Sequence, residues 1–245
     1  MAERIEGRRA VLEALRGGLE VERLEVAQGL ARDAAVREIL DAAARRGVPV
    51  HEVERRALDA SSERGRHQGV AAVLKAFRYA TLGEVLEASR EKPDGTLVVL
   101  DHVTDPGNFG AVARSAECAG ADALVVAERR SAPVTAVVHK AAAGALAHLP
   151  IVRVTNLVRA IEEIKAAGYW VIGASGDAET DLWRAPLDGR VALVLGSEGR
   201  GLSRLVEQSC DVLVSIPLLG RVESLNVAQA ATVLLFERVR RSRSS

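Results

Sequence analysis

Three segments of the chain combine polar or charged side chains with glycines directly after apolar, strand-like runs. An open α/β sheet binds its ligands in loops beyond the carboxyl ends of its strands, so these segments are the places to look for chemistry. The first is Asp101-His-Val-Thr-Asp-Pro-Gly-Asn-Phe-Gly110, after Leu97–Leu100. Asp105-Pro-Gly is turn chemistry, and Asn108 suits the cap of a following helix. That reading leaves Arg114 unexplained. It lies near the expected helix start, where free backbone N–H groups and a guanidinium could together grip a phosphate.

The second segment is Leu195-Gly-Ser-Glu-Gly-Arg-Gly-Leu202. Its glycines at 196, 199 and 201 let a backbone approach a ligand closely and leave Glu198 as a carboxylate at the mouth of the sheet, with an ordinary polar turn as the alternative. The third runs from Ile216 to Val227. Ile216, Leu218 and Leu225 either form an apolar slot for a flat ring or are simply core, while Ser224 and Asn226 are natural helix caps. There is no GxxxxGK[ST] run, and the glycines of 196–201 are in the wrong order for GxGxxG, so neither ATP nor NAD has a phosphate loop here.

Elements must hold these segments together. Apolar spacing predicts helices at Gly7–Arg16 and Arg32–Arg46, with strands at Arg23–Val26, near Val48–Val53 and at Val70–Lys75. The stretch 79–95 is polar, contains Gly83, Pro93 and Gly95, and is read as a linker with a short helix at Leu82–Arg90. Beyond it, strand-like runs (Leu97–Leu100, Ala123–Val126, Val152–Val154, Trp170–Ala174, Val191–Leu195, Val212–Ser215) alternate with helical ones (Ala111–Ala119, Val134–Ala143, Leu157–Ala167, Val227–Arg240). Short apolar strands separated by helices imply a parallel α/β sheet covered on both faces. The expected organisation is a small α/β unit over 1–78, a linker over 79–95 and a larger α/β domain over 96–245.

Composition narrows the classes. With 48% hydrophobic and 27% charged residues, the 245-residue chain can bury a sizeable core. No apolar run reaches the roughly 18 residues of a membrane helix, and the first residues lack the apolar run of a signal peptide, so a cytoplasmic address is expected. Cys118 and Cys210 stand alone, outside any CxxC or Cys/His cluster, so no metal site is expected and both read as buried free thiols. The 33 basic and 33 acidic residues balance. Local charge does not. Between Arg55 and Tyr79 there are six basic residues and two acids, and the four arginines after Glu237 have no acid among them. Arg55, Arg56, Arg64 and Arg66 are therefore either a phosphate-binding patch or a solvated face.

Taken together and in order, the three segments resemble the motifs of the SpoU (TrmH-type) RNA ribose 2′-O-methyltransferases of the SPOUT superfamily. The match covers Asp101, Val103, Asp105, Pro106, Asn108, Gly110, Arg114, Ala116 and Gly120, then Gly196, Glu198, Gly199 and Gly201, then Ile216, Pro217, Gly220 and Ser224–Val227. Ala228 and Phe236 depart from it, since the family often has Ser and Tyr there. Ile5–Ala14, His67-Gln-Gly69 and Arg153–Leu157 look like the branch that methylates a guanosine of large-subunit ribosomal RNA. The resemblance implies a ribosomal-protein-like RNA-binding domain at the N-terminus, a catalytic SPOUT domain with a trefoil knot, S-adenosylmethionine as cofactor and a homodimer.

The site residues follow from the same resemblance. Gly196, Ile216, Leu218, Gly220 and Leu225 would hold the cofactor, with Gly196 permitting close approach of its sugar or methionine portion. Arg114 would act at the ribose hydroxyl, as base or as electrostatic anchor, with Asn108, Glu198, Ser224 and Asn226 keeping it, the ribose and the loops in register. An arginine stays protonated at any ordinary pH and is a reluctant base, which favours the anchor. Arg8, Arg55, Arg56, Arg64, Arg66 and His67 would contact RNA, although His67 equally suits a local turn. His102 reads as packed or hydrogen-bonded rather than catalytic. The same reaction on tRNA and a non-catalytic RNA-binding protein of this fold are the alternatives.

Overall fold

The computed structural model describes residues 4–17, 19–62 and 65–243, and the chain forms two compact units, Met1–Arg78 and Tyr79–Ser245. The first contains β1 (Arg4–Glu6), α1 (Arg8–Arg16), β2 (Val21–Ala27), α2 (Ala34–Arg45), β3 (Val50–Val53), α3 (Arg55–Ser61) and β4 (Val70–Leu74). Its sheet has the order β1-β4-β2-β3; β4 is antiparallel to both neighbours and β2 is parallel to β3. Central β4 is buried along its whole length, which explains its unbroken Val-Ala-Ala-Val-Leu sequence. Helices α1 and α2 pack on each other, burying Val11, Ala14 and Leu15 on one and Val36, Ile39, Ala42 and Ala43 on the other. Two elements escape the sequence reading. Three-residue β1 is too short to show alternation, and α3 has a single buried anchor, Leu58, packed with Ala27 and Ala71.

The second unit contains α4 (Leu82–Ala88), β5 (Gly95–Leu100), α5 (Pro106–Cys118), β6 (Ala123–Ala127), α6 (Ala136–Ala142), β7 (Ile151–Val154), α7 (Leu157–Ala166), β8 (Trp170–Ala174), β9 (Thr180–Asp181), β10 (Arg190–Leu195), α8 (Arg204–Ser209), β11 (Val212–Ser215) and α9 (Val227–Ser242). Its sheet runs β7-β6-β5-β10-β8-β11-β9 with every pair parallel. Successive strand side chains point to opposite faces, so Leu97, Val99, Val125, Val152, Val171 and Val194 meet α4, α7 and α8, while α5, α6 and α9 cover the other face. Each fully buried Val or Leu contributes roughly 1.5–3 kcal/mol of transfer free energy.

The stretch 79–95, expected as a linker, belongs to this second unit. Thr81 and Glu84 form a reciprocal capping box that starts α4, and Leu82 and Val85 join the main core. Helix α5 begins five residues before the expected Ala111, because Pro106-Gly107 is its first turn rather than a loop: proline at the first helical position loses no hydrogen bond. The expected burial of both thiols also needs correction. Cys118, at the end of α5, is exposed, while Cys210 is half-buried and burial pushes its thiol up to about 12.

Candidate functional site

Parallel pairing sets the carboxyl ends of β5, β10, β8 and β11 side by side, so the loops that follow them leave from one edge. Backbone bonds tie those loops at their roots. The Asp101 N–H donates to Leu195 O at 2.8 Å, and the Ser175 N–H donates to Val214 O at 3.0 Å.

The cap of α5 is Asp105, not Asn108: its Oδ1 accepts the Asn108 N–H at 2.7 Å. An acidic cap directly before proline leaves the third helical residue free, so the Asn108 side chain points elsewhere. Its Nδ2 donates to Glu198 Oε1 at 2.8 Å. Asn226 does two things at once. Its Oδ1 caps α9 by accepting the Ala228 N–H at 2.8 Å, and its Nδ2 donates to Asn108 Oδ1 at 2.9 Å and to Glu198 Oε1 at 2.6 Å. One carboxylate oxygen thus collects an amide from each of the other two segments. Charge-assisted bonds of this kind fix the relative position of three loops.

The loop carrying Glu198 is folded on itself. Gly201 N–H donates to Ser197 O at 2.9 Å, and Gly199 and Gly201 have φ of 77° and 63°, conformations that side chains rarely adopt. A Cβ on Gly196 would lie 2.0 Å from the Gly201 carbonyl carbon. The missing side chain at 196 therefore makes room for the protein's own backbone, where close approach of a ligand was expected. A strut unforeseen in the sequence holds this loop to the first one: Asp101, 1% exposed, accepts the Ser203 N–H at 2.6 Å through one oxygen and bonds His102 Nδ1 through the other. Its only advance sign is the position of an acid directly after a buried strand.

Arg114 is exposed, eight residues beyond the first residue of α5, so about 12 Å along the axis from the free N–H groups with which it was expected to act. It makes no hydrogen bond or ion pair with another described residue. Its helix is held rigidly on both sides. Ser115 Oγ and Thr232 Oγ1 of α9 are 2.7 Å apart, and a Cβ on Gly110 would stand 2.5 Å from Ala141 Cβ and 2.6 Å from Val138 O of α6.

In the third segment, Ile216 and Leu225 are half-buried, whereas Leu218, Leu219, Gly220 and Val222 are exposed. Ser224 is exposed and its hydroxyl bonds no other described residue, so it does not join the cluster formed by Asn226. The apolar reading as simple core thus fails for Leu218, and an exposed apolar loop remains whose last residue before α9, Asn226, bonds the Glu198 carboxylate.

The family model of the SpoU rRNA methylase family matches residues 95–236, and that of RNA 2′-O ribose methyltransferase substrate binding matches residues 4–80. The chain belongs to the SpoU rRNA methylase family. An uncharacterized tRNA/rRNA methyltransferase of Mycolicibacterium vanbaalenii is 42% identical over 240 residues, spanning 98% of this chain and 76% of that protein. The SpoU methyltransferase AviRb of Streptomyces viridochromogenes, solved with the cofactor AdoMet, superposes with a TM-score of 0.71 and 29% identity over 100% of this chain and 91% of its own. The AdoMet-bound rRNA methyltransferase of Sinorhizobium meliloti gives 0.67 and 28% over 97% and 87%. The A. aeolicus TrmH/SpoU tRNA modifying enzyme gives 0.56 and 25%, covering 66% of this chain and 85% of its own. As a SpoU protein the chain is an S-adenosylmethionine-dependent RNA methyltransferase.

The RNA-contact residues expected in the small unit of this SpoU protein separate into two groups. His67 is 3% exposed: Nδ1 accepts the Gly69 N–H at 3.0 Å and Nε2 lies 2.8 Å from Asp59 Oδ1, so the ring builds the turn before β4 and presents nothing to RNA. Arg8 is similarly spent, pairing with Asp33 and donating to Gln68 O at 3.4 Å. Arg56 is exposed and paired with Glu54. Arg55 and Arg66 are exposed without a partner among the described residues, and Arg64 lies outside the described residues. Three of the four C-terminal arginines are also structural: Arg238 is buried, donating to Thr96 Oγ1 at 2.6 Å and to Gly95 O at 3.0 Å, while Arg240 and Arg241 both bond Glu237.

Proposed function

We propose that the protein transfers a methyl group from S-adenosylmethionine to the ribose 2′-hydroxyl of a guanosine in large-subunit ribosomal RNA. The observation that carries this reading is the convergence of the Asn108 and Asn226 amides on one Glu198 carboxylate oxygen, with Arg114 exposed on the same helix as Asn108 and unpaired among the described residues. The residues fit the cofactor: an exposed apolar loop next to backbone polar groups suits adenine, with Ile216, Leu218, Gly220 and Leu225 holding it and Gly196 shaping the turn beside it. The bound cofactor supplies an electrophilic methyl carbon.

The chain's own residues then do the positioning. Forming the O–CH3 bond as the cofactor's S–CH3 bond breaks would require the 2′-oxygen to be held in line and its proton to pass to solvent water, so orientation is the larger part of catalysis. Arg114 anchors the target phosphate and stabilises the negative charge that builds on the oxygen. A guanidinium gives up its proton reluctantly, which speaks against proton abstraction by this side chain. The amide pair on Glu198 holds the three loops in register, and Ser224, exposed beside Asn226, contacts the ribose.

Ribosomal RNA is favoured over tRNA because the rRNA methyltransferase of Sinorhizobium meliloti matches both units, whereas the A. aeolicus tRNA modifying enzyme covers only 66% of this chain. In this reading residues 1–78 are the RNA-binding domain, with Arg55, Arg56, Arg64 and Arg66 on phosphates, and residues 96–245 the catalytic domain, trefoil-knotted, homodimeric and cytoplasmic. Insertion of β10 between β5 and β8 and the return of α9 onto α5 support the knot; the exposed Phe236 ring on α9 supports a second copy. An RNA carrying 2′-deoxyguanosine only at the target should bind and accept no methyl group. Labelled methyl on that RNA would place the modification on a base and refute the ribose assignment. Mapping 2′-O-methylation in cells with and without the protein identifies the nucleotide.

A further inference from the structure

We infer that His102 and Arg130 form a second RNA-contact site, gripping the phosphate and ribose of a nucleotide flanking the target, with buried Asp101 as its positioning residue. The inference rests on the RNA-methyltransferase reading for the nature of the ligand. Both residues have left-handed backbones, with φ of 59° and 62°. Such conformations cost on the order of 1 kcal/mol for a residue with a Cβ, and glycine would occupy them freely. The two side chains face each other across adjacent parallel strand ends: His102 follows β5, Arg130 follows β6, and the Ala132 N–H donates to Val103 O at 3.0 Å between their loops.

The imidazole is oriented by the protein. Asp101 bonds Nδ1, which makes that nitrogen the proton carrier and turns Nε2 outward as an acceptor. Asp101 is itself fixed by the Ser203 N–H of the Glu198 loop, so the ring is coupled to the site already described. Arg130 Nη1 reaches Nε2 at 3.4 Å, a long bond that a better acceptor can displace. Arg129 and Arg130 are exposed with no acidic partner among the described residues. Arg153, on β7 of the same sheet, stacks its guanidinium 4.3 Å over the Tyr79 ring, and the Val134 N–H from the Arg130 loop donates to Tyr79 Oη at 3.1 Å. The positive strip therefore continues to the residue at which the chain enters this unit, with exposed Glu128 as the acid of its loop.

This pairing of one donor fork with one outward acceptor matches a ribonucleotide. The guanidinium takes the phosphate oxygens, and Nε2, released from Arg130, accepts a hydrogen bond from a 2′-hydroxyl, the group that distinguishes RNA from DNA. The test is equilibrium binding of a large-subunit rRNA fragment to the full-length protein across a KCl series, with methyl transfer measured in parallel. Arg130→Gln should weaken binding about tenfold and reduce the slope of log affinity against log salt by about one. His102→Asn, in which asparagine tolerates the left-handed backbone, should raise KM for RNA more than it lowers kcat and leave the salt slope unchanged. S-adenosylmethionine affinity should not change in either. An unchanged RNA affinity and slope in Arg130→Gln overturns the inference even while the wild type methylates RNA. A wild type that methylates no RNA, together with a reduced slope in Arg130→Gln, refutes the substrate reading and leaves the contact site standing.

Discussion

Asn226→Asp separates the two jobs of one side chain. Aspartate is as good a helix cap as asparagine, so the oxygen that accepts the Ala228 N–H at 2.8 Å is kept and the stability of the second unit should change by less than about 0.5 kcal/mol. The other terminal atom becomes an oxygen in the place of Nδ2, which now sits 2.6 Å from Glu198 Oε1 and 2.9 Å from Asn108 Oδ1. Two donor bonds of about 0.5–1.5 kcal/mol each are lost. Two carboxylates at about 4 Å repel by about 1–4 kcal/mol for effective dielectrics between water and the protein surface. Because Glu198 is exposed, its loop can relax away from the clash, so the penalty of roughly 2–5 kcal/mol falls on loop registration and spares global stability. At about 1.4 kcal/mol per decade, methyl transfer should fall by at least about 30-fold. Asn226→Ala, which removes cap and cluster together, should also lower Tm by about 2–4 °C. Adding Glu198→Gln to Asn226→Asp replaces the repelling oxygen by an amide that can donate, and should recover about 1–2 kcal/mol as a coupling energy. Thermal unfolding, cofactor calorimetry and single-turnover methyl transfer read the three effects. If Asn226→Asp transfers methyl at the wild-type rate, the cluster is only a cap and the account of the site is wrong.

Arg114→Ala should leave S-adenosylmethionine affinity nearly unchanged while slowing methyl transfer about 10²-fold or more, and a matching loss of cofactor affinity would contradict its assignment to RNA. Gly110→Ala should cost about 1–3 kcal/mol, read as a lower Tm, because its new methyl meets Ala141 Cβ at 2.5 Å and the α5–α6 contact must open. Replacing Arg55 and Arg66 by glutamine should flatten the salt dependence of RNA binding; an unchanged slope returns them to a solvated face. Glu237 is held down to about 2, chiefly by its bond with the Arg240 guanidinium and further by Arg241, against burial. Its folded pKa lies below the ordinary 4.5, so its stabilising contribution is full above that pH and disappears as pH falls toward 2. The Tm difference between wild type and Glu237→Gln should therefore be large at neutral pH and shrink through that acid window.

The parallel sheet was legible from the sequence because β5, β6 and β10 are buried on both faces, and double burial forces continuous apolar runs such as Leu97–Leu100 and Val191–Leu195. The first two site loops were legible for the same reason, since each begins where such a run stops, while the third follows half-buried β11, whose short apolar Val212–Val214 stretch marks its start. Elements with one or no buried anchor were not: α3 rests on Leu58 alone and α8 on Val206, too few apolar positions to reveal a period. Side-chain roles depended on partners far away in the chain. Asn108 and Asn226 look alike as caps, but Asp105 takes the cap of α5 and frees the Asn108 side chain, Asn226 keeps the cap of α9, and both amides reach Glu198, 90 residues from one and 28 from the other. His67 and Arg114 are both polar residues in resembling motifs, yet tertiary packing buries the first against Asp59 and Gly69 and leaves the second exposed. Sequence determines which residues can bond; which bonds form is decided by the fold, because a polar group's partner is whatever the packed backbone brings within about 3 Å of it.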